Sequence, residues 1–167
     1  MSKLFISIVV VLIAPLILFA QDPLSVSSKY LDFEINRIPF ISGGYFLQDN
    51  FALEAGVGVA FDGEINSNGL GIKLGLDKYT GSDRLSPFVG GYTRFEINPN
   101  ALGETNWKGS RITFGGHWGL NLFLLKNLSL AGSLGAEFQI NAPKPEDEDS
   151  SSSFSTFTSG LKVRFFF

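Results

Sequence analysis

The sequence predicts an all-β fold, namely an eight-stranded antiparallel up-and-down barrel. Large apolar residues recur at every second position in segment after segment, which is the period of a strand with two unlike faces. Short turns alternate with longer polar loops, as they do in a meander whose two ends differ. The composition agrees, because 17 phenylalanines and 19 glycines accompany only 17% charged residues and no cysteine.

The first twenty residues form a separate segment. Lys3 precedes the apolar run LFISIVVVLIAPLILF, and Ala20 stands before a polar stretch. This layout is typical of a cleaved secretory signal peptide. A transmembrane anchor is the alternative, since the run approaches the ~17 residues that a spanning helix requires, but Pro15 and the abrupt change in polarity favour cleavage. We therefore expect a signal peptide at 1–20 and one barrel domain at 21–167.

Eight strands are predicted to follow in order. The stretch FALEAGVGVAF at 51–61 shows the alternation most clearly, with large apolar residues on one face and Ala, Glu and Gly on the other. The predicted strands are 30–35, about 38–47, 51–61, 70–79, 85–97, 110–123, 128–140 and from about 154 to the end. The connection of Asn36 and Arg37 before Pro39 is unexpectedly short for a long-loop connection, which weakens the prediction of the first hairpin.

The orientation of the two faces follows from size and charge. An eight-stranded barrel has an interior just wide enough for side chains, so the large apolar residues must point outward, towards lipid. The inward set contains six acids and five bases, which predicts ion pairing and a lumen filled with side chains. The acids are Asp32, Glu34, Glu54, Asp77, Glu96 and Glu137, and the bases are Lys73, Arg94, Arg111, Lys162 and Arg164. The opposite orientation would cost ~2–4 kcal/mol for each cation near the middle of a bilayer.

Aromatic residues near the ends of the outward stripes are expected to form interfacial belts. These are Phe51, Phe61, Phe95, Phe138, Phe165 and Phe167. At the C-terminus, Lys162 and Arg164 should point into the lumen towards Asp32 and Glu34, because the last strand pairs with the first when the barrel closes. Phe166 is then left at the mouth of the lumen, where it can only act as a plug.

Several motifs together resemble a known group. They are the stretches GYFLQDNFALEAGVGVAF (44–61) and SPFVGGYTRFE (86–96), the signal peptide, and a terminal phenylalanine preceded by alternating apolar residues. The chain from 21 to 167 resembles the small outer-membrane β-barrel family, OmpX/OmpA-barrel-like, in its Bacteroidetes-type form. The resemblance implies a place in the Gram-negative outer membrane, contact with lipid and lipopolysaccharide, and reading of the C-terminal strand by the barrel-assembly machinery. The positions that match that signal are Leu161, Val163, Phe165 and Phe167.

No set of residues predicts a catalytic, cofactor or metal site. His117 is the single histidine, and its place in the alternation puts it in the lumen. Barrels that deacylate lipid A carry a serine close to the histidine on the same strand, and no such serine accompanies His117. A carboxylate dyad among Glu54, Glu96 and Glu137 is conceivable, but charge pairing requires the same residues. The acidic run at 146–149 offers oxygen ligands suited to Ca²⁺ or Mg²⁺, yet it lacks an EF-hand spacing and is better interpreted as a solvated loop.

The predicted function is accordingly general. We expect a monomeric, non-enzymatic integral outer-membrane barrel with a structural or surface-interaction, adhesin-like role. Alternatives are a lipid A-modifying barrel enzyme and a small pore or ligand carrier. Trp107 is either a binding anchor on a long loop or a residue that dips into the interface. Nucleic acid is not an expected partner, since the chain carries no basic stripe.

Overall fold

The structure is a computed structural model that describes residues 28–35, 38–62, 67–81, 84–97, 108–144 and 150–167. The expected signal peptide, Trp107 and the acidic run at 146–149 lie outside the described residues, so these expectations remain predictions. The described part of the chain contains no helix long and apolar enough to cross a bilayer.

Eight strands form one closed antiparallel barrel, as the sequence predicts. They are β1 (Lys29–Ile35), β2 (Phe40–Gln48), β3 (Phe51–Asp62), β4 (Ser67–Tyr79), β5 (Leu85–Ile97), β6 (Lys108–Leu125), β7 (Leu128–Lys144) and β8 (Ser151–Phe166). Each strand pairs with its neighbours in sequence, and β8 pairs with β1. The first hairpin is regular, with a ladder from Lys29–Tyr45 to Glu34–Phe40.

The strands are strongly staggered around the barrel. The chain of paired residues that starts at Leu31 on β1 passes through all eight strands and arrives at Phe154 on β8. The residue of β8 that pairs directly with Leu31 is Phe165. The register has therefore moved along β8 by most of a strand length in one circuit, which requires strands tilted relative to the barrel axis. Tilt brings side chains from distant strands together in the lumen.

The two ends of the barrel differ, as predicted. At one end, which we call the short-turn end, β2 and β3 are joined by Asp49 and Asn50 alone, and β6 and β7 by Lys126 and Asn127. Asn50 has a φ of 66°, a left-handed conformation that asparagine tolerates. Its carbonyl accepts a hydrogen bond of 2.7 Å from the amide of Tyr79, which fixes this turn against β4. We call the opposite end the long-loop end.

Four strands, β4, β6, β7 and β8, are two to four residues longer at the long-loop end than the sequence predicts. β6, β7 and β8 contain 18, 17 and 16 residues, whereas β1 contains seven. The predicted ends, near 70, 110, 140 and 154, were wrong because the added residues are mostly polar. Segments such as SSS at 151–153 have no apolar stripe, so their alternation is not visible in the sequence. The barrel wall is consequently higher on the side of β6–β8 than on the side of β1 and β2.

The predicted orientation of the two faces is confirmed. Large apolar side chains on the outward face are exposed, among them Leu74 (62%), Trp118 (58%) and Ile72 (55%). Of the expected belt residues, five are exposed in part or in full, namely Phe51, Phe95, Phe138, Phe165 and Phe167. The side chain of the sixth, Phe61, is not among those that the structure describes. The acids and most bases of the predicted inward set are buried: Asp32, Glu34, Glu54, Lys73, Asp77, Arg94, Glu96, Glu137, Lys162 and Arg164.

Candidate functional site

The lumen is the place where polar chemistry is concentrated, and Glu54 on β3 lies at the centre of it. Its carboxylate is 2.8 Å from Nζ of Lys73 and 3.1 Å from Nζ of Lys162. The guanidinium of Arg164 lies 3.6 Å away, and the hydroxyl of Tyr30 donates a hydrogen bond of 3.3 Å. Three cations from β4 and β8 therefore share one buried acid, which makes Glu54 the residue that joins the two sides of the lumen.

Arg164 on β8 connects the first strand to the fourth. Its Nε donates to Oδ2 of Asp32 at 2.9 Å, and a terminal nitrogen donates to Oδ2 of Asp77 at 2.9 Å. A further hydrogen bond goes to the hydroxyl of Tyr79. The guanidinium is fully buried. Because buried charges are stable only when paired and hydrogen-bonded, these contacts are what allow an arginine at this position.

Lys162 confirms the predicted contact between the last strand and the first. Its Nζ lies 3.6 Å from Asp32 and 3.9 Å from Glu34 on β1. Its shortest contact, however, is 3.1 Å long and joins Nζ to the carboxylate of Glu54 on β3. The two-residue period of the strands and their order of pairing could not identify this partner. Glu34 also accepts a hydrogen bond from Lys73. The charges around Glu54 thus form one network that spans β1, β3, β4 and β8.

A second cluster lies around Tyr92 on β5. Arg94 and the Tyr92 hydroxyl both donate to the carboxylate of Glu137 on β7. His117 stacks on the Tyr92 ring with centroids 5.6 Å apart, and its Nε2 is 2.8 Å from Oδ1 of Asp77. His117 therefore lies in the lumen as predicted, held by an acid and an aromatic ring. Through Asp77 this cluster continues into the network around Arg164.

The lumen is closed at the short-turn end by a set of aromatic rings, which we call the aromatic plug: Tyr30, Phe46, Tyr79, Phe88, Phe123 and Phe166. Neighbouring ring centroids are 5.3–5.9 Å apart, a spacing typical of aromatic pairs. The guanidinium of Arg164 lies 5.2 Å from the Tyr30 centroid and 5.3 Å from that of Phe88. Phe166 fills the mouth of the lumen, as its phase predicts.

The expectation of an inward face that is only small and polar was wrong at this end. Three phenylalanines of the plug, Phe46, Phe88 and Phe123, were missed because phenylalanine was assigned to the outward face and its belts. A signal was nevertheless present, since the alternation fails at the short-turn ends of the strands in GYFL (44–47), LFLL (122–125) and RFFF (164–167). A run that is apolar on both faces indicates that the lumen itself is apolar there.

Little free space remains between the charged clusters. A cavity of about 20 Å³ is bounded by Glu34, Lys73, Tyr92, His117, Glu137 and Lys162, together with small residues of β7 and β8. That volume accommodates about one water molecule. Glu54 and Glu137 each bind cations in separate clusters, which is the charge pairing expected of them. Among the described residues no group of three or more histidines and acids is arranged to hold a metal ion.

Comparisons with known proteins identify the fold. No protein-family model matches the chain, and no curated protein matches it. The structure is similar to the crystal structure of the N-terminal β-barrel domain of Pseudomonas aeruginosa OprF, with a TM-score of 0.54 and 18% sequence identity. The match covers 85% of this chain and 98% of that domain. The two chains therefore share a small eight-stranded barrel fold.

Proposed function

We propose that the chain is an integral protein of the Gram-negative outer membrane, a monomeric and non-enzymatic barrel with a closed lumen and a structural or surface-interaction, adhesin-like role. The observation that carries this proposal is the distribution of polarity, which is inverted relative to a water-soluble protein. Leucine, isoleucine and valine cover the outside, and ten charged side chains of the described strands are buried inside. The shared fold with the OprF barrel and the OmpX-like sequence motifs support the same proposal.

The outward face is poorly suited to water. Monomeric soluble proteins rarely expose apolar patches larger than a few hundred Å². Here β3 exposes Leu53, Val57 and Val59, and β4 continues the same surface with Leu70, Ile72 and Leu74. A lipid environment removes this difficulty, and the closed sheet satisfies the requirement that no unpaired strand edge faces hydrocarbon.

The proposed arrangement in the membrane follows from the two ends. Outer-membrane barrels have short periplasmic turns and longer external loops, so the short-turn end and the aromatic plug are placed on the periplasmic side. Lipid and lipopolysaccharide would surround the outward face. The signal peptide at 1–20 would direct export, and the alternating apolar residues that end at Phe167 would be recognised by the barrel-assembly machinery.

Membrane embedding can be tested with two leucines of equal exposure. Leu74 lies near the middle of β4 and Leu125 is the last residue of β6, and both are 62% exposed. We expect Leu74→Arg to lower the free energy of unfolding in lipid vesicles by about 2–4 kcal/mol and Leu125→Arg by about 0–1 kcal/mol, because the cost of a cation depends on depth. Equal effects, measured by urea titration, would contradict a bilayer around the barrel.

The closed lumen can be tested separately by conductance. Because the aromatic plug and the ion-pair network fill the interior, we expect no steady current when the folded barrel is reconstituted in a planar bilayer. An engineered or natural porin in the same membrane serves as the positive control. A stable conductance from this protein alone would overturn the closed lumen and favour a small pore.

A further inference from the structure

An apolar groove of about 580 Å³ crosses the outward face of the barrel between β5 and β8. Its floor is formed by Gly116 and Ala136, which are direct partners on β6 and β7. One wall is formed by Trp118 and Leu134, which are partners on the same two strands. We call this feature the outer groove and define it by the following residues: Val89, Gly116, Trp118, Leu134, Ala136 and Phe157.

The outer groove rises obliquely from the short-turn end, and a cation stands at its lower end. Paired residues lead from Lys78 on β4 through Val89 and Trp118 to Leu134 on β7. Lys78 is exposed and lies beside the last residue of β4, whereas Leu134 lies well within β7. The alternation of β4 places Lys78 on the outward face, where it ends the apolar stripe. The lysine therefore borders the entrance of the groove at the level where the barrel wall leaves the proposed hydrocarbon.

The far end of the outer groove is closed by an aromatic ring. The pairing of β7 with β8 shifts at Gly135 and Ala136, and Phe157 on β8 has a φ of 60° at this bulge. Its side chain is 85% exposed and borders the groove. The groove thus has a charged entrance on β4 and an apolar stop on β8. Since strands lie ~4.8 Å apart, the stretch from β5 to β8 is about 14 Å long.

The width of the outer groove limits what can occupy it. Phe114 and Trp118 lie two positions on either side of Gly116 on β6. At ~3.3 Å per residue their Cα atoms are about 13 Å apart, and the two side chains fill part of that distance. A helix, about 10–12 Å across with its side chains, cannot reach the floor, and neither can the convex wall of a second barrel. An unbranched hydrocarbon chain is narrow enough to lie on the floor.

We propose that the outer groove binds one acyl chain of an anionic phospholipid in the periplasmic leaflet, and that the ammonium group of Lys78 holds the phosphate of the same lipid. This proposal rests on the membrane location proposed above and specifies a lipid partner. A long lysine side chain at the end of an apolar stripe can keep its charge at the polar interface, where anionic headgroups attract it. The apolar lining favours the chain, and the volume of the groove is typical of ligand sites.

The test measures which lipid lies against Trp118. Replacement of Trp107 by phenylalanine leaves Trp118 as the single tryptophan, and bromine atoms on an acyl chain quench its fluorescence on contact. The probe is brominated phosphatidylglycerol, titrated into phosphatidylcholine vesicles that contain the folded barrel, and brominated phosphatidylcholine is the reference. We expect phosphatidylglycerol to quench with about fivefold higher apparent affinity, which corresponds to ~1 kcal/mol for one lysine beside anionic lipid.

Two pairs of variants separate the headgroup contact from the groove. Lys78→Gln should abolish the preference, whereas Lys29→Gln should retain it, because Lys29 is exposed at the same end but pairs with Tyr45 on β2, away from the groove. Gly116→Leu fills the floor and should also abolish the preference. Gly43→Leu should retain it, since Gly43 lies on the outward face of β2 with open space around its Cβ position.

Equal quenching by the two lipids in the original chain would overturn the proposal. A preference that survives Lys78→Gln or Gly116→Leu would overturn it as well, because the phosphate and the acyl chain must be bound together. Energy transfer between labelled barrels that Gly116→Leu abolishes would overturn it in favour of a second copy. A gel shift between heated and unheated samples verifies that each variant is folded. The Leu74 and Leu125 pair tests the membrane location independently, so the two proposals can fail separately.

Discussion

Replacing Glu54 with leucine is expected to lower the free energy of unfolding by about 3–5 kcal/mol, because it removes the acid that three buried cations share. Lys73 and Lys162 lose contacts of 2.8 and 3.1 Å, and Arg164 loses one of 3.6 Å. A cation left unpaired in the lumen keeps its desolvation cost without the compensating attraction. The measurement is a urea titration of the barrel in lipid vesicles, followed by tryptophan fluorescence.

The matched control removes a cation from the same network. In Lys73→Met, Glu54 still has Lys162 and Arg164 as partners, and Glu34 still lies 3.9 Å from Lys162. We therefore expect a smaller loss of stability than in Glu54→Leu. If the two variants were destabilised equally, or if the order were reversed, the network would not be centred on Glu54.

The faces and the closure of the barrel could be predicted from the sequence, because they depend on a period of two and on charge. Once charged residues are required to avoid lipid, the phase of the strands that carry them follows, and Arg164 and Lys162 must lie beside the first strand. The ladder indeed pairs Arg164 with Asp32 and Lys162 with Glu34. These predictions depend only on which strands are adjacent. They could therefore be made without knowledge of how far the strands are staggered around the barrel.

Contacts across the lumen could not be predicted, because they depend on the stagger and on how far each side chain reaches. Asp77 on β4 binds Arg164 on β8, and Glu54 on β3 binds Lys162 on β8, although neither pair lies on adjacent strands.

Phe165 and Phe166 are neighbours in sequence with opposite environments, and this permits a second test with a large expected effect. Phe166 is 1% exposed and packs against Tyr30 and Phe123 with centroids 5.5 and 5.3 Å away. Phe166→Ala should therefore lower the free energy of unfolding of the refolded barrel by about 3–5 kcal/mol, the usual cost of a cavity in place of a buried ring. Phe165→Ala should cost less, because Phe165 faces outward and contacts Phe33 only at the edge, 6.1 Å between centroids.

In cells the order of the two effects should be reversed. Phe165 belongs to the outward pattern proposed to be read by the barrel-assembly machinery, whereas Phe166 points into the lumen. Phe165→Ala should thus reduce the amount of heat-modifiable barrel in outer-membrane fractions more than Phe166→Ala does, despite its smaller effect on the purified protein. If Phe166→Ala were the more damaging in both settings, stability alone would explain the cellular result, and the outward stripe would have no separate role in assembly. A reversal between the two settings, in contrast, requires that the two faces of the last strand serve different purposes: the inner face closes the lumen, and the outer face directs insertion.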